Sequence, residues 1–232
     1  MLAAAKAMLD IGFEPENDIV FCLHGAEEWG SSYTQFDWTV GAWEMINTLH
    51  PEWVGKTLAF LNFELPAYEF ATYTTTYSAP EMFSLLRDFT TRYPYAPKPQ
   101  GCFPDGVLTE GYQTYTYSDD FSYYAAGVPS TVNGFLLQKD MEHVHPFYID
   151  YYHTQYDTPD TYNDAVMAFN LRYYGALAIY IDQMPALQLD FTAQLYTPER
   201  CAGCGHFRAI RRGCCFVPRC CRIPSAARTG IE

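Results

Sequence analysis

The feature that most limits how this chain can fold is a seven-residue stretch, His24-Gly25-Ala26-Glu27-Glu28-Trp29-Gly30, directly after the apolar run Ile19-Val20-Phe21-Cys22-Leu23. The run is rich in strand formers, so two adjacent carboxylates stand where a strand would stop and a glycine-punctuated loop begin. In open α/β sheets, ligands bind in the crevice beyond the carboxyl ends of the strands. Adjacent glutamates repel each other and are costly to desolvate. Most such pairs are simply solvated surface charge. A fold that places them at a strand end has a use for them with a cation or in proton transfer.

The rest of the chain predicts an alternation of helices and strands. Residues 2–10 read as a helix with no cap residue before it, and residues 18–24 as a buried strand. Residues 34–49 have a loosely helical period that ends before Pro51. Residues 57–63 form a second buried strand candidate, residues 70–77 a Thr/Tyr-rich one and residues 128–135 a third buried one. Residues 80–92 predict a helix with Pro in its first turn. Residues 93–106 read as a Pro/Gly-rich loop, 119–126 as a short helix closed by Gly127, and 138–162 as a polar-aromatic loop. Residues 163–184 predict a long helix capped near Asn163 or Asp164. This alternation argues for an α/β domain of three layers, αβα, around a central mixed, mostly parallel sheet.

Composition limits the function. The 232 residues are 49% hydrophobic, enough for a core in one domain of ordinary to large size. Residues 1–199 hold 26 of the 27 Asp and Glu but only 7 of the 14 Lys and Arg. So acidic a body repels phosphates, which argues against a nucleic-acid partner. No run approaches the roughly 18 apolar residues of a membrane span. The apolar start, Met1 to Leu9, has no basic region ahead of it and is not read as a signal peptide.

Three candidate positions for chemistry follow from this layout. Glu27 and Glu28 end the first strand, Glu64 ends the second, and His153 lies in the loop before the last helix. Two carboxylates and an imidazole from three loops suit Zn²⁺, and a spare carboxylate beside a metal-bound water suits a general base. Each residue also has an ordinary reading: Glu64 as a strand-end charge, His153 as a hydrogen-bonded loop histidine. His143 and His145 have the alternate spacing of a metal pair, but read more simply as a polar loop. Ser118-Asp119-Asp120 reads as a helix N-cap with acids in the first turn.

Taken together, His24-Gly25-Ala26-Glu27-Glu28-Trp29-Gly30-Ser31, Leu61-Asn62-Phe63-Glu64, Ser118-Asp119-Asp120-Phe121 with Ala126-Gly127-Val128-Pro129-Ser130, and Tyr152-His153-Thr154 with Asp157-Thr158 resemble the M28 peptidases in order and spacing. The resemblance spans roughly residues 1–195. It implies a zinc-exopeptidase-like fold, peptide substrates, and hydrolysis of terminal peptide bonds at a site with two zinc ions. It implies that Glu27 is the general base, and that Glu28 and His153 are ligands of one zinc. Glu64 stands where the family has an acidic ligand, usually Asp, of the other zinc, and Tyr152 where some relatives contact the substrate carbonyl. The family's His-x-Asp motif and its bridging Asp have no counterpart in the chain. The expectation is therefore an incomplete peptidase domain with weak or partial zinc binding and little or no turnover. A non-catalytic binding or scaffold domain of the same family is the alternative.

Residues 196–232 differ in kind. They hold half of the basic residues and six of the eight cysteines, but none of the 20 tyrosines after Tyr196. Cys201-Ala202-Gly203-Cys204 has zinc-ribbon spacing, but Cys214-Cys215 and Cys220-Cys221 do not complete a second C-x₂-C. The stretch reads as a disordered or frameshifted tail.

Overall fold

A computed structural model describes residues 1–30, 38–64, 66–112, 118–136, 150–184 and 188–193. These all lie in the unit Met1–Leu195. His143, His145 and the Cys/Arg-rich tail lie outside the described residues.

Four strands form one mixed sheet: β1 (Phe60–Asn62), β2 (Tyr73–Ser78), β3 (Leu108–Tyr112) and β4 (Ser130–Leu136), in the order β1-β4-β2-β3. β1 runs parallel to β4 and β2 parallel to β3, while β2 and β4 are antiparallel. The helices are α1 (Leu2–Asp10), α2 (Val40–Glu44), α3 (Phe83–Arg92), α4 (Asp119–Ala125) and α5 (Asp164–Asp182). α2 continues into a π-helical turn, Met45–Leu49.

Side chains that alternate along β1 face different layers. Leu61 packs with Leu85, Leu86 and Phe89 of α3 and Val166, Phe169, Tyr173 and Leu177 of α5. Phe60 packs on the other face against Ala42, Ile46, Tyr123 and Val128. That is the expected three-layer arrangement. The α5 core residues recur at three- and four-residue steps, the signature of one buried helix stripe. Central β2 is buried on both faces, so Thr74, Thr75 and Thr76 are all at most 2% exposed. β-branched residues suit that position, and their polar atoms are the reason the strand did not read as core. Asn163 caps α5 as expected, its side chain accepting from the amides of Ala165 and Val166 at 2.9 and 3.0 Å.

Residues 18–24 are a correction. They form no strand among the described residues, and Val20 and Leu23 are 60% and 71% exposed. The segment passes β1, with the His24 ring 5.9 Å from Phe60, but makes no ladder with it. His24 is held instead by α4, and a strand without a ladder partner leaves its apolar side chains in water.

Candidate functional site

The loop carrying Glu27 and Glu28 is fastened at several points. His24 Nδ1 lies 3.1 Å from Asp119 Oδ2 and its Nε2 3.1 Å from the Tyr123 hydroxyl, one helical turn along α4. The Thr39 amide donates to the Glu27 carbonyl at 2.6 Å and the Val40 amide to the Trp29 carbonyl at 2.8 Å. The Thr39 and Ser122 hydroxyls meet at 2.8 Å in the interior. Among the described residues, the non-glycine residues with left-handed backbone are Ala26, Thr39 and His153, at φ 53°, 59° and 58°. Ala26 and His153 lie in the segments that carry the expected site, and Thr39 is the residue whose amide holds the Glu27 carbonyl. Strained backbone of this kind persists where surrounding contacts over-determine it, and it concentrates at functional sites.

Glu27 Oε1 accepts from the Trp38 indole at 3.1 Å. Burial, then the charges of Glu64, Glu28 and Asp119, push its carboxyl up to about 7. That suits a group that must take a proton near neutral pH. Glu28 Oε1 meets His153 Nε2 at 2.8 Å, both side chains being about half exposed. The Tyr152 ring stacks on the His153 ring, centroids 3.8 Å apart.

Glu64 is more deeply set. Burial raises its carboxyl, against the hydrogen bonds from Ser118 and Asn62 that lower it. The Ser118 hydroxyl donates to its Oε1 at 2.8 Å and Asn62 Nδ2 donates to the same oxygen at 3.1 Å. Ser118 precedes α4 as expected, but its hydroxyl makes no capping bond, because it is turned to Glu64. The backbone of Glu64 is clamped by one side chain: its amide donates to Asn133 Oδ1 and its carbonyl accepts from Asn133 Nδ2, both at 2.6 Å. Asn62, Trp38, Thr39 and Asn133 were not singled out in the sequence. The one available signal was an amide inside two otherwise strand-like runs, around Asn62 and Asn133.

Asn133→Ala removes both arms of the clamp and leaves a part-buried amide and carbonyl without partners. It is expected to destabilise the domain by about 2–3 kcal/mol, read as a lower urea midpoint with unchanged slope. An unchanged midpoint would show that the clamp carries no load.

The expected zinc ligands come together only in part. Glu28 and His153 touch, but with their donor atoms on each other, and Glu64 Oε1 is occupied by Ser118 and Asn62. Among the described residues, no three His, Cys, Asp or Glu side chains form a group that could hold a metal ion. A catalytic zinc ordinarily takes three protein ligands, so this arrangement does not fit one.

Carboxylates gathered at one end of a mixed sheet between two helical layers define the zinc-exopeptidase-like class of α/β fold. Residues 1–174 match the model of peptidase family M28, and the chain belongs to that family. Among solved structures it is similar to the Legionella pneumophila LapA aminopeptidase, with 17% identity, a TM-score of 0.55, and 79% of this chain against 43% of that one covered. It is also similar to a peptidase M28 precursor from Shewanella amazonensis SB2B, with 22% identity, a TM-score of 0.53, and 81% against 36% covered. The chain thus spans less than half the length of either. No curated protein matches this chain. No helix among the described residues is long and apolar enough to cross a membrane.

Proposed function

We propose that this chain carries part of an M28 exopeptidase site acting on peptides. Glu27 would be its general base, Glu28 and His153 one pair of zinc donors, Glu64 a donor on the other side, and Tyr152 a neighbour of the substrate carbonyl. The observation that supports this most is the setting of Glu27. It is a half-buried carboxylate raised to about 7 and oriented by Trp38, one residue from the Glu28–His153 contact. Zinc in this family would supply a polarised water or carbonyl. With Glu28 and His153 paired to each other and Glu64 Oε1 taken by Ser118 and Asn62, the chain holds zinc weakly and hydrolyses peptides slowly or not at all.

Metal analysis after dialysis against zinc buffer is expected to find less than one tightly held ion per chain. Hydrolysis of aminoacyl-p-nitroanilides should be slow or undetectable. Two tightly bound zincs with efficient turnover would overturn the reading. Any residual turnover should fall by about 10²–10⁴-fold in Glu27→Gln, the usual contribution of a positioned base.

The lack of a three-donor group among the described residues favours one other reading, a non-catalytic domain that binds peptides or a partner. It predicts peptide binding that is indifferent to zinc and to Glu27→Gln.

A further inference from the structure

The run with strand composition and no ladder is pinned at both ends. Before it, the amides of Glu16 and Asn17 donate to Asp182 Oδ2 and Oδ1 at 3.0 and 2.8 Å, at the last residue of α5. After it, His24 is bonded to Asp119 and Tyr123 of α4. α5 and α4 belong to opposite helical layers, so residues 18–23 pass from one layer to the other beside β1, the edge strand. Ile19-Val20-Phe21-Cys22-Leu23 holds no charge, no Pro and no Gly. Among the described residues its amides and carbonyls make no backbone hydrogen bond, and Val20, Phe21 and Leu23 are exposed. Unpaired backbone beside apolar side chains is a template for another strand, and short uncharged segments of high β-propensity pair with identical ones.

Charge selects the partner and its direction. The run is bounded by Asp18 and His24. Burial lowers the His24 ring, but its bonds and charge contacts with Asp119 and Cys22 outweigh burial and raise it to about 9, so the ring is charged at neutral pH. Two copies of the run laid antiparallel put Phe21 opposite Phe21, Val20 opposite Cys22 and Ile19 opposite Leu23. Asp18 of each copy then falls opposite His24 of the other. A parallel pair would set Asp18 against Asp18 and His24 against His24, and like charges directly opposite are destabilising. The complement of a run with an acid at one end and a cation at the other is the same run reversed.

We propose that this run is a self-association surface, through which two copies of the chain pair antiparallel along residues 19–23 about a two-fold axis at Phe21. Such a contact is isologous and closes at two copies. One strand pair with its flanking side chains buries less than the roughly 1,200 Å² at which stable interfaces begin, so the dimer is weak. The proposal does not rest on the peptidase reading.

The test is sedimentation equilibrium of the full chain at pH 7 in reducing buffer, from micromolar to submillimolar concentration. The mass is expected to rise from one chain toward two and no further. Val20→Glu buries an unpaired carboxylate twice in the dimer and is expected to weaken association about tenfold or more. Val20 is exposed in the single chain, so the urea midpoint of dilute protein should stay in place. Asp18→Lys should weaken association several-fold by setting like charges opposite. Phe21→Cys reports the register. Opposite residues of antiparallel strands have Cα atoms about 4.5–5.5 Å apart, within disulfide reach. Mild oxidation should therefore link two copies at position 21, identified by mass spectrometry of the joined peptides, while Leu23→Cys, whose two copies stand four residues out of register, should not link at position 23. A chain that stays monomeric would overturn the proposal, its run then being left to another occupant. A dimer unmoved by Val20→Glu, or without the link at position 21, would overturn it too and assign the association to another surface.

Discussion

Gly41→Ala is expected to destabilise the domain by about 3 kcal/mol or more, at the upper end of overpacking penalties, and to separate Glu28 from His153. A Cβ on Gly41 would stand 1.9 Å from the Gly25 carbonyl oxygen. Both partners in that clash are backbone, so no side-chain rotation relieves it. The loop of Glu27 and Glu28 must lift from α2, breaking the bonds from the Thr39 and Val40 amides. Gly175→Ala is the matched control. Nothing lies within 4 Å of a Cβ there, and alanine in a helix interior is better than glycine by about 0.5–1 kcal/mol. Urea midpoints of the two variants should therefore move in opposite directions. A Gly41→Ala midpoint equal to the parent's would rule out the close approach.

Stability should fall as pH rises from about 4 to 7, the reverse of ordinary acid unfolding. Asp120 is 1% exposed, and burial, against the hydrogen bonds from Ser118 and Asn62, raises its carboxyl from 3.8 to about 7. A carboxyl raised on folding binds its proton more tightly in the folded state. Its contribution is full below the unfolded value and is lost as pH rises through the folded one. The shift corresponds to an upper bound of about 4 kcal/mol at 1.36 kcal/mol per pH unit. His24 continues the same slope. Its folded value of about 9 lies above 6.5, so the stability it adds is present below pH 6.5 and lost as pH rises toward 9. The lowered Asp182 acts oppositely, losing its contribution only as pH falls below its ordinary 3.8. Urea midpoints from pH 4.5 to 8.5 should decline, and Asp120→Asn should make the part below pH 7 shallower, with Glu27, also raised to about 7, supplying what remains. The slope is the readout, because an asparagine buried there shifts the level for reasons of its own. A slope unchanged by Asp120→Asn would sink the assignment.

The long amphipathic elements were legible from residue pattern. α5 and its Asn163 cap, α3 after Pro80, and α4 before Gly127 form within a few residues of expectation, because each has a local stop or start signal of its own. Strand pairing was harder. Residues 18–24 have strand composition but no ladder, whereas β3 at Leu108–Tyr112, which no pattern marked, pairs with β2 along five residues. A strand exists through its neighbour, and the neighbour is remote in sequence.

The site divides along the same line. Residue types, order and spacing were enough to single out Glu27, Glu28, Glu64 and His153 and to place the chain near M28. Chemistry of that kind is written in side chains, and family motifs preserve it locally. The surroundings of those residues are contacts between distant parts of the chain. Asn133 clamps Glu64 from 69 positions away and His24 reaches Asp119 across 95. Burial and neighbouring charge, both products of that folding, set Glu27 near 7 and turn Ser118 from a cap into a partner of Glu64. The paired glutamates were visible in the primary structure; that one is half-buried beside acids while the other meets a histidine is a consequence of packing.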